Sequence, residues 1–340
     1  MIVEVLHQNC PHDCVHCFLH PTPRSTEEQA AEIAREAAAA GHRVMMIPAA
    51  GEQMDGIRLL REFGAPGGVV PLKDRLPAEA ARIPGASCYE FSLHGHTEDL
   101  HRLLVGEAGN FEKTVETIKA AVSAGLPGVF VNHVLHRGNY RHVESFYEFA
   151  RGLGLSNVVF LKMNASSQAK CRIPELLLAT SDLEDLIRRL RRLRHRAARG
   201  PQITLSAESF GILLSRSQYL RIRARLLVQR SFQGRMCVCG DEKVTVHAGT
   251  GDVYPCRYFV SDPAFRIGRW DSNRGLVLDR NDWCRDRLQK IGEPCRSCSI
   301  FRWCGGGCRA AVVAEHYHRT GENDPYAGHE DCPVANRFWI

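Results

Sequence analysis

The chain contains 340 residues, of which 44% are hydrophobic, and it carries a formal net charge of +6. A chain of this length builds about two domains with cores of their own, so a small scaffold held together by disulfides is excluded. The mean hydropathy is -0.24, and the absence of an apolar run of about 18 residues excludes a membrane-spanning helix.

The composition also includes 14 cysteines. The first residues, Met1 to His7, contain neither a basic stretch nor a signal-like apolar segment, so we expect a cytoplasmic protein. Because the cytoplasm is reducing, the cysteines indicate metal or redox chemistry rather than disulfides. Three of them lie in the first 17 residues, eight lie between Cys237 and Cys308, and one is Cys332.

Short β-branched runs alternate with amphipathic helical stretches over the first 180 residues, which is typical of a parallel α/β domain. Ser25 and Thr26 provide an N-cap signal for the first helix. Six strand-helix units suit a partial (β/α)6 TIM barrel, whose active site lies at the carboxyl ends of the strands. The pattern predicts strands at 2–7, 43–47, 68–71, 87–93, 128–135 and 157–163, and helices that include 26–40 and 110–124.

The sequence becomes basic after residue 180. Ser181 and Glu184 predict a capping box ahead of an arginine-rich helix, and Gly200-Pro201 predicts its end. These arginines form either a solvated helix face or an electrostatic platform for an acidic peptide or another anionic partner. The predicted domains are a barrel at 1–180, a basic helical bridge at 181–235 and a cysteine-rich domain at 236–340.

Cys10, Cys14 and Cys17 follow the first predicted strand with the spacing C-x3-C-x2-C. Three thiolates on one loop can ligate three irons of a 4Fe-4S cluster and leave the fourth iron open to another ligand. A tetrahedral zinc ion would need a fourth protein ligand, which His12 or His16 could provide. Taken alone, the three cysteines leave both alternatives open.

The spacing and its place after the first strand resemble the radical S-adenosylmethionine (radical SAM) superfamily. The resemblance implies an enzyme whose cluster binds and reductively cleaves S-adenosylmethionine, releasing a 5'-deoxyadenosyl radical that abstracts hydrogen from an unactivated carbon. It also implies a Gly-Gly-Glu motif for the methionyl amine. Gly51 and Glu52 match this motif, although alanine replaces the first glycine and the usual following proline is absent. His16, inside the cysteine loop, is placed with these cofactor-binding residues.

Three further positions resemble barrel positions of the same superfamily. The resemblance implies that Ser92 contacts the carboxylate or ribose of the cofactor, that Asn132 lies near it, and that Leu161 contacts the adenine. Relatives often carry an arginine a dozen residues after this serine, where this chain has Leu104-Val105. The structural alternative is that Ser92 and Asn132 are polar residues at strand ends and that Leu161 belongs to the core.

A second group of cysteines reads C-x11-G-x4-C from Cys239 and C-x2-C-x5-C-x3-C from Cys295, and it ends with Cys332. Seven cysteines at these spacings resemble the SPASM domain, a small domain with a β-hairpin and short helices that carries two auxiliary iron-sulfur clusters. A structural zinc module is the alternative. The resemblance implies a nearer cluster on Cys239, Cys256 and Cys308, with Cys237 as a candidate fourth ligand, and an outer cluster on Cys295, Cys298, Cys304 and Cys332.

The remaining cysteines and one arginine are the candidate catalytic residues. Cys88 is expected to be a small buried hydrophobe, whereas Cys171 or Cys284 could donate a hydrogen atom to a substrate radical, as in radical epimerases. Arg257 stands where sulfatase maturases carry an aspartate base, which argues against sulfatase maturation. An arginine facing the cavity would anchor a carboxylate or phosphate, and the alternative is an arginine that lies beside the site or on the surface.

The sequence favours a ribosomally synthesised peptide as the substrate, oxidised, crosslinked, decarboxylated or epimerised while the auxiliary clusters handle the electron. The alternative substrate is a sugar or aminocyclitol that is dehydrogenated or epimerised, although the net positive charge suits a cationic aminoglycoside poorly. A non-catalytic iron-sulfur or zinc protein is a more distant alternative. Expected partners are an external electron donor such as flavodoxin or ferredoxin and a separate leader-peptide-binding protein, with no nucleic acid and no membrane.

Overall fold

The computed structural model describes residues 1–10, 14–19, 22–50, 53–73, 75–106, 111–163, 174–196, 200–205, 216–228, 239–279, 286, 290–330 and 332. The strands are β1 (Ile2–Asn9), β2 (Arg43–Ala50), β3 (Val69–Leu72), β4 (Cys88–Ser92), β5 (Val129–Leu135), β6 (Asn157–Lys162), β7 (Gln202–Leu205), β8 (Lys243–His247), β9 (Asp252–Tyr254), β10 (Gly268–Asp271) and β11 (Gly275–Leu278). The helices are α1 (Glu27–Ala39), α2 (Gln53–Phe63), α3 (Glu98–Val105), α4 (Phe111–Ser123), α5 (Val143–Gly152), α6 (Thr180–Arg196), α7 (Arg216–Val228), α8 (Phe301–Cys304) and α9 (Arg309–Thr320).

Five parallel strands form one sheet, in the order β3-β4-β5-β6-β7. Tyr89 and Phe91 of β4 belong to the core that this sheet shares with the surrounding helices. Because side chains alternate between the two faces of a strand, the residues between them lie on the opposite face. We call this opposite face the inner face, and it carries Glu90, Ser92, Asn132 and Leu161, all of them exposed or half-buried.

In the other sheet, β1 joins the N-terminal strands to the strands of the cysteine-rich part. β1 pairs in parallel with β2 on one side and with β8 on the other, so that Val3 lies beside both Val44 and Val244. The sheet order is β11-β10-β9-β8-β1-β2. The β-hairpin expected in the cysteine-rich domain is therefore present as β8 and β9, between Cys239 and Cys256, and it belongs to the same sheet as the first barrel strand.

The mixed α/β architecture with a partial barrel is confirmed. Each of the six predicted strands is present as β1 to β6, with end points close to the predicted ones, and the two predicted helices are α1 and α4. β7, which follows the basic helix, was not predicted. None of the described helices combines the length and the apolar composition that crossing a membrane requires.

The starts of α1 and α6 test the two capping signals predicted from the sequence. Thr26 caps α1 through a capping box with Gln29, so the first N-cap prediction is confirmed. The capping box predicted at Ser181 and Glu184 is wrong, because α6 begins one residue earlier and Ser181 lies inside the helix. Its first turn is closed by Asp182, which accepts a hydrogen bond from the backbone N–H of Ala179 at 3.0 Å.

Candidate functional site

The loop that follows β1 carries three half-buried thiols, those of Cys10, Cys14 and Cys17. The backbone N–H of Cys17 bonds to the carbonyl of Cys14 at 3.0 Å, and the N–H of Val15 bonds to the carbonyl of Leu104 at 2.8 Å. These bonds turn the loop back on itself and hold it against the end of α3. The cysteine loop therefore lies at the carboxyl edge of the barrel strands, where such a fold places its active site.

A cluster of histidines packs behind this loop. The ring of His16 meets His94 edge-on, with centroids 4.9 Å apart, and His94 stacks on His101 at 5.7 Å. His94 and His101 are both buried. Backbone amides fix these two rings: His94 Nδ1 accepts a bond from Val134 N–H at 3.2 Å, and His101 Nδ1 accepts one from His94 N–H at 3.1 Å. Backbone amides of the same protein therefore fix the orientation of both rings.

Two more buried histidines extend the cluster from β5. His133 bonds through Nδ1 to the carbonyl of Leu93 at 2.9 Å, and His136 Nδ1 accepts a bond from Gly138 N–H at 3.1 Å. Burial lowers the pKa of His101 to about 4, that of His133 to about 3 and that of His136 to about 4. Burial also lowers the pKa of His94 well below its usual value. These four rings are therefore neutral at pH 7.

The cofactor-binding residues predicted on the strands lie on neighbouring positions of the inner face. Ser92 of β4 and Asn132 of β5 are register partners, and Leu161 of β6 follows on the next strand. Ser92 is exposed, whereas Asn132 and Leu161 are half-buried. Ser92 and Leu161 lie at the carboxyl ends of their strands, at the edge that carries the cysteine loop. Asn132 lies in the middle of β5, beside Ser92.

A buried charge network lies on β1 and the strand beside it. Glu4 is fully buried, and its carboxylate accepts a hydrogen bond from the Thr245 hydroxyl at 2.5 Å. It also forms ion pairs with Arg257 at 3.2 Å and with Lys243 at 3.6 Å. Burial alone would lower the pKa of Lys243, but the charges of Glu4 and of the thiols nearby raise it above its usual value. Arg257, the predicted anchor, is thus engaged by a carboxylate of the protein itself.

Glu90 adds a second carboxyl to this region from the inner face of β4. Burial raises the pKa of Glu90, and this effect is opposed by a hydrogen bond with the Asn132 side chain and by the charge of Arg257. Arg257 therefore lies within electrostatic reach of carboxylates from both sheets.

The nearer auxiliary cysteines gather at the base of the β8-β9 hairpin. Cys256 is buried in the core of the second sheet, and the half-buried Cys239 and Cys308 pack against the same core. Cys239 forms an isolated bridge with Lys243, whose ammonium lies within electrostatic reach of Cys239 and Cys256. The three cysteines of the predicted nearer set thus share one part of the molecule.

The outer cysteines form a separate group. Cys304 packs with Cys298 and Cys332 beside Ile300, and Cys295 accepts a hydrogen bond from the backbone N–H of His329 at 3.2 Å. Burial raises the pKa of Cys304 to about 12, helped by the charge of Cys332 and opposed by backbone N–H groups of the glycines that follow it. Amides that point at a thiol are the donors that a cluster sulfur requires.

Gly306, one of these glycines, has a backbone conformation that other residues rarely adopt, with a φ of +87°. A residue with a Cβ would be strained at this position. The glycine thus permits the backbone course that directs its amide at Cys304.

A buried ion pair connects the barrel to the cysteine-rich part. Lys162, the last residue of β6, pairs with Glu315 of α9 at 2.5 Å, and both side chains are largely buried. Burial by itself would raise the pKa of Glu315, but the charge of Lys162 lowers it below its usual value. The helix that follows Cys308 is thus tied to a strand of the inner face.

No protein-family model matches the chain. A probable GTP 3',8-cyclase of Saccharolobus solfataricus is 26% identical over 98 residues, which is 29% of this chain and 32% of that protein. One from Saccharolobus islandicus is 26% identical over 94 residues, or 28% of this chain and 30% of that protein. The chain spans about a third of the length of these curated relatives.

Solved structures match over nearly the whole chain. SuiB of Streptococcus suis, bound to the precursor peptide SuiA, superposes with a TM-score of 0.65 at 15% identity, covering 97% of this chain and 75% of SuiB. Native anSMEcpe, with bound AdoMet and the peptide Cp18Cys, superposes with a TM-score of 0.68 at 16% identity, covering 99% and 96%. The chain has the radical SAM fold.

The residues at the carboxyl edge and in the cysteine-rich part fit iron-sulfur clusters by the chemistry of their donors. The N-terminal loop offers three partly accessible thiols, and the outer group offers thiols with backbone N–H donors directed at sulfur. Within the described ranges, no three His, Cys, Asp or Glu side chains lie close enough together to ligate one metal ion. A four-iron cluster is larger than an ion, so its fit is judged on the sulfur environment.

Several predicted site residues lie outside the described part of the radical SAM fold. They are Gly51, Glu52, Cys171, Cys237 and Cys284. Cys88 lies on β4 and is half-buried rather than fully buried, with its thiol 3.6 Å from the carbonyl of Gly68.

Sequence reasoning missed four features of the site: Glu4, Glu90, Lys73 and the histidine cluster. Strand positions offered a signal for some of them: Lys73 directly follows β3, His94 lies two residues after β4, and His133 lies within β5, and these three strands were predicted from the sequence.

Proposed function

We propose that the chain is a radical SAM enzyme that cleaves S-adenosylmethionine reductively and uses the 5'-deoxyadenosyl radical to abstract hydrogen from an unactivated C–H bond. The observation that supports this most is the loop of Cys10, Cys14 and Cys17, which holds three accessible thiols at the carboxyl edge of a partial barrel. A bound 4Fe-4S cluster would supply an electron and an open coordination position there.

The residues of the chain have separate roles in this proposal. His16, Gly51, Glu52, Ser92, Asn132 and Leu161 bind S-adenosylmethionine in it. The four neutral histidines exclude water behind the cysteine loop and keep charge away from it, because their rings are buried and their pKa values are low. Cys171 and Cys284 remain candidates for donating a hydrogen atom to a substrate radical.

Arg257 keeps its proposed role as a substrate anchor in a modified form. Its guanidinium has five N–H donors, and the ion pair with Glu4 involves Nη2. With 27% of its side chain exposed, it could bind a substrate carboxylate while Glu4 holds it in place. Glu4 would then orient the arginine.

We propose a ribosomally synthesised peptide as the substrate, which would be oxidised, crosslinked or epimerised while auxiliary clusters accept or supply the electron. The support is that two structures with the same fold, SuiB and anSMEcpe, were determined with peptides bound. The exposed Arg192 and Arg194 of α6 are suited to an acidic segment of such a peptide. An external donor such as flavodoxin or ferredoxin and a leader-binding protein complete this proposal.

A small molecule such as a sugar or aminocyclitol is the second candidate substrate. The observation in its favour is the similarity to proteins named as probable GTP 3',8-cyclases, a name that describes chemistry on a small molecule. Deuterium-labelled substrates of both classes would distinguish the two candidates, because the label must appear in 5'-deoxyadenosine if the radical abstracts that hydrogen.

The reaction itself can be tested without knowing the substrate. The anaerobically reconstituted, reduced protein should form 5'-deoxyadenosine from S-adenosylmethionine, and Cys10→Ala, Cys14→Ala or Cys17→Ala should each abolish the product. Cys88→Ala is the matched control, because Cys88 lies on β4 away from the loop, and this variant should retain the activity. Product formation by the triple variant Cys10→Ala/Cys14→Ala/Cys17→Ala would refute the proposal.

A further inference from the structure

Lys73 lies directly after β3, at the same edge as the cysteine loop. Its ammonium donates a hydrogen bond to Cys10 Sγ at 2.9 Å. β3 belongs to the five-stranded sheet, whereas Cys10 follows β1 of the other sheet. The contact therefore links the two sheets, and it places a positive charge beside one of the three thiols of the loop.

The other groups packed around the loop do not duplicate this charge. His94 stands edge-on to His16, and His101 stacks on His94. Burial lowers the pKa values of both, so their rings are neutral at pH 7. An ammonium is a compact point charge with three donors, and its field is strong at hydrogen-bond distance in a partly buried site.

We propose that Lys73 is a positioning residue that holds a positive charge against the Cys10 thiolate and thereby raises the reduction potential of the cluster on Cys10, Cys14 and Cys17. This inference rests on the proposed function, because it assumes that the three cysteines bind a 4Fe-4S cluster. Reduction adds one negative charge to such a cluster, and a cation at its ligand stabilises the reduced state more than the oxidised one. Net charge and hydrogen bonds to sulfur are the terms that set these potentials.

A purely structural role makes a different prediction. If Lys73 only held the cysteine loop against β3, its replacement would change stability or iron content and would leave the potential of the remaining clusters unchanged. The midpoint potential therefore separates the two roles, and it is measured on the full chain without any substrate.

The experiment compares Lys73→Met, Lys73→Gln and Lys73→Arg in reconstituted full-length protein by potentiometric titration followed by electron paramagnetic resonance. Subtracting the spectrum of Cys10→Ala/Cys14→Ala/Cys17→Ala isolates the signal of the N-terminal cluster. Lys119→Met is the matched control, because Lys119 is an exposed lysine of α4. Iron content and the affinity for S-adenosylmethionine are measured on every variant.

We expect the two neutral variants to lower the ratio of reduced to oxidised cluster about tenfold at a fixed potential, which equals a midpoint about 59 mV more negative for a one-electron couple. Lys73→Arg and Lys119→Met should retain the wild-type midpoint.

Three results would overturn the inference. An unchanged midpoint in a loaded Lys73→Met or Lys73→Gln protein would reduce Lys73 to a structural contact. An unchanged midpoint with an affinity for S-adenosylmethionine at least tenfold weaker would place the ammonium on the cofactor instead, and loss of the cluster in Lys73→Arg would show a steric requirement. A wild-type spectrum equal to that of the triple alanine variant would instead refute the proposed function.

Discussion

Glu4 is a carboxylate with no exposed surface, yet it lies on a strand whose neighbours are mostly apolar. Burying a charge costs several kcal/mol unless it is paired and hydrogen-bonded. Thr245, Arg257 and Lys243 supply those partners from β8 and from the turn after β9. The network thus needs residues that lie far apart in the sequence, and it exists only when β8 has paired with β1.

Replacing Glu4 with glutamine should destabilise the protein by about 3 kcal/mol, because Arg257 and Lys243 would keep their charges without a partner. Urea unfolding followed by circular dichroism measures the difference. Glu62→Gln is the matched control: Glu62 pairs with Arg35 at 2.8 Å on the surface, and its loss should cost no more than about 1 kcal/mol. Equal effects of the two substitutions would contradict the argument.

The buried histidines make a prediction about pH. The unfolded chain protonates histidine near pH 6.5, whereas His101, His133 and His136 have pKa values of about 4, 3 and 4 in the folded chain. Between these values the unfolded state binds more protons, so the free energy of unfolding falls as the pH falls through this window.

Carbon-13 labelling of the histidine rings allows this to be measured by NMR. The signals of His101, His133 and His136 should stay constant between pH 7.5 and pH 5.5, because at most a few per cent of these rings carry a proton there. Single glutamine variants assign each signal. A titration midpoint near 6.5 for any of the three would show that its ring is not buried as described.

Residues of this kind explain why part of the site could not be predicted from the sequence. The spacing of the cysteines identifies them, and Ser92 and Asn132 lie in short aromatic and β-branched runs that predict strands. Lys73 and Glu4 have no local signal for their partners. Their partners, Cys10 and Arg257, are determined by which strands become neighbours, which is a property of the topology.

Among the secondary-structure elements, β6 and α9 depend most on each other. Lys162 and Glu315 form a largely buried pair between them. The pKa of Glu315 is lowered in the folded state, so the pair contributes stability above the pKa of the unfolded chain, near 4.3, and this contribution is lost as the pH falls through the lower, folded value.

Glu315→Gln should therefore weaken the attachment of α9 by about 3 kcal/mol at neutral pH, because Lys162 would stay buried and unpaired. Hydrogen exchange of the α9 amides measures the loss, which should shrink at acid pH. The double variant Lys162→Met/Glu315→Leu should recover most of it, since apolar residues remove the unpaired charge. Protection of α9 that is unchanged in Glu315→Gln would count against this coupling.

The elements differed in how well the sequence predicted them. β5 and β6 were predicted almost to the residue, because β-branched runs between polar turns are a strong strand signal. The start of α6 was missed because Thr180, Ser181 and Asp182 offer competing caps. β7 has only four residues and pairs along β6, so its identity comes from a neighbour and not from its own pattern.

At the scale of the whole molecule, the two auxiliary cysteine groups belong to different environments. Cys256 lies in the core of the second sheet, whereas Cys304 lies in a small core of its own beside Ile300. The strands of the nearer group belong to the same sheet as β1, whereas Cys295, Cys298, Cys304 and Cys332 lie outside both sheets.

This difference predicts unequal effects of removing single cysteines. Cys304→Ala should lower the iron content by about four atoms per chain and leave the folded barrel intact. Cys256→Ala should lower the iron content similarly and also reduce thermal stability, because Cys256 packs in the core that contains β1. Iron analysis and thermal unfolding would test this, and equal stability of the two variants would contradict it.

β1 ends at Asn9, and one of its two partners, β8, begins only at Lys243. During translation, one edge of β1 therefore keeps unpaired N–H and C=O groups until β8 has left the ribosome. Open strand edges are templates for pairing with other chains, and long-range pairings form slowly. The nascent chain is consequently expected to depend on chaperones, and truncations that end before β8 should aggregate.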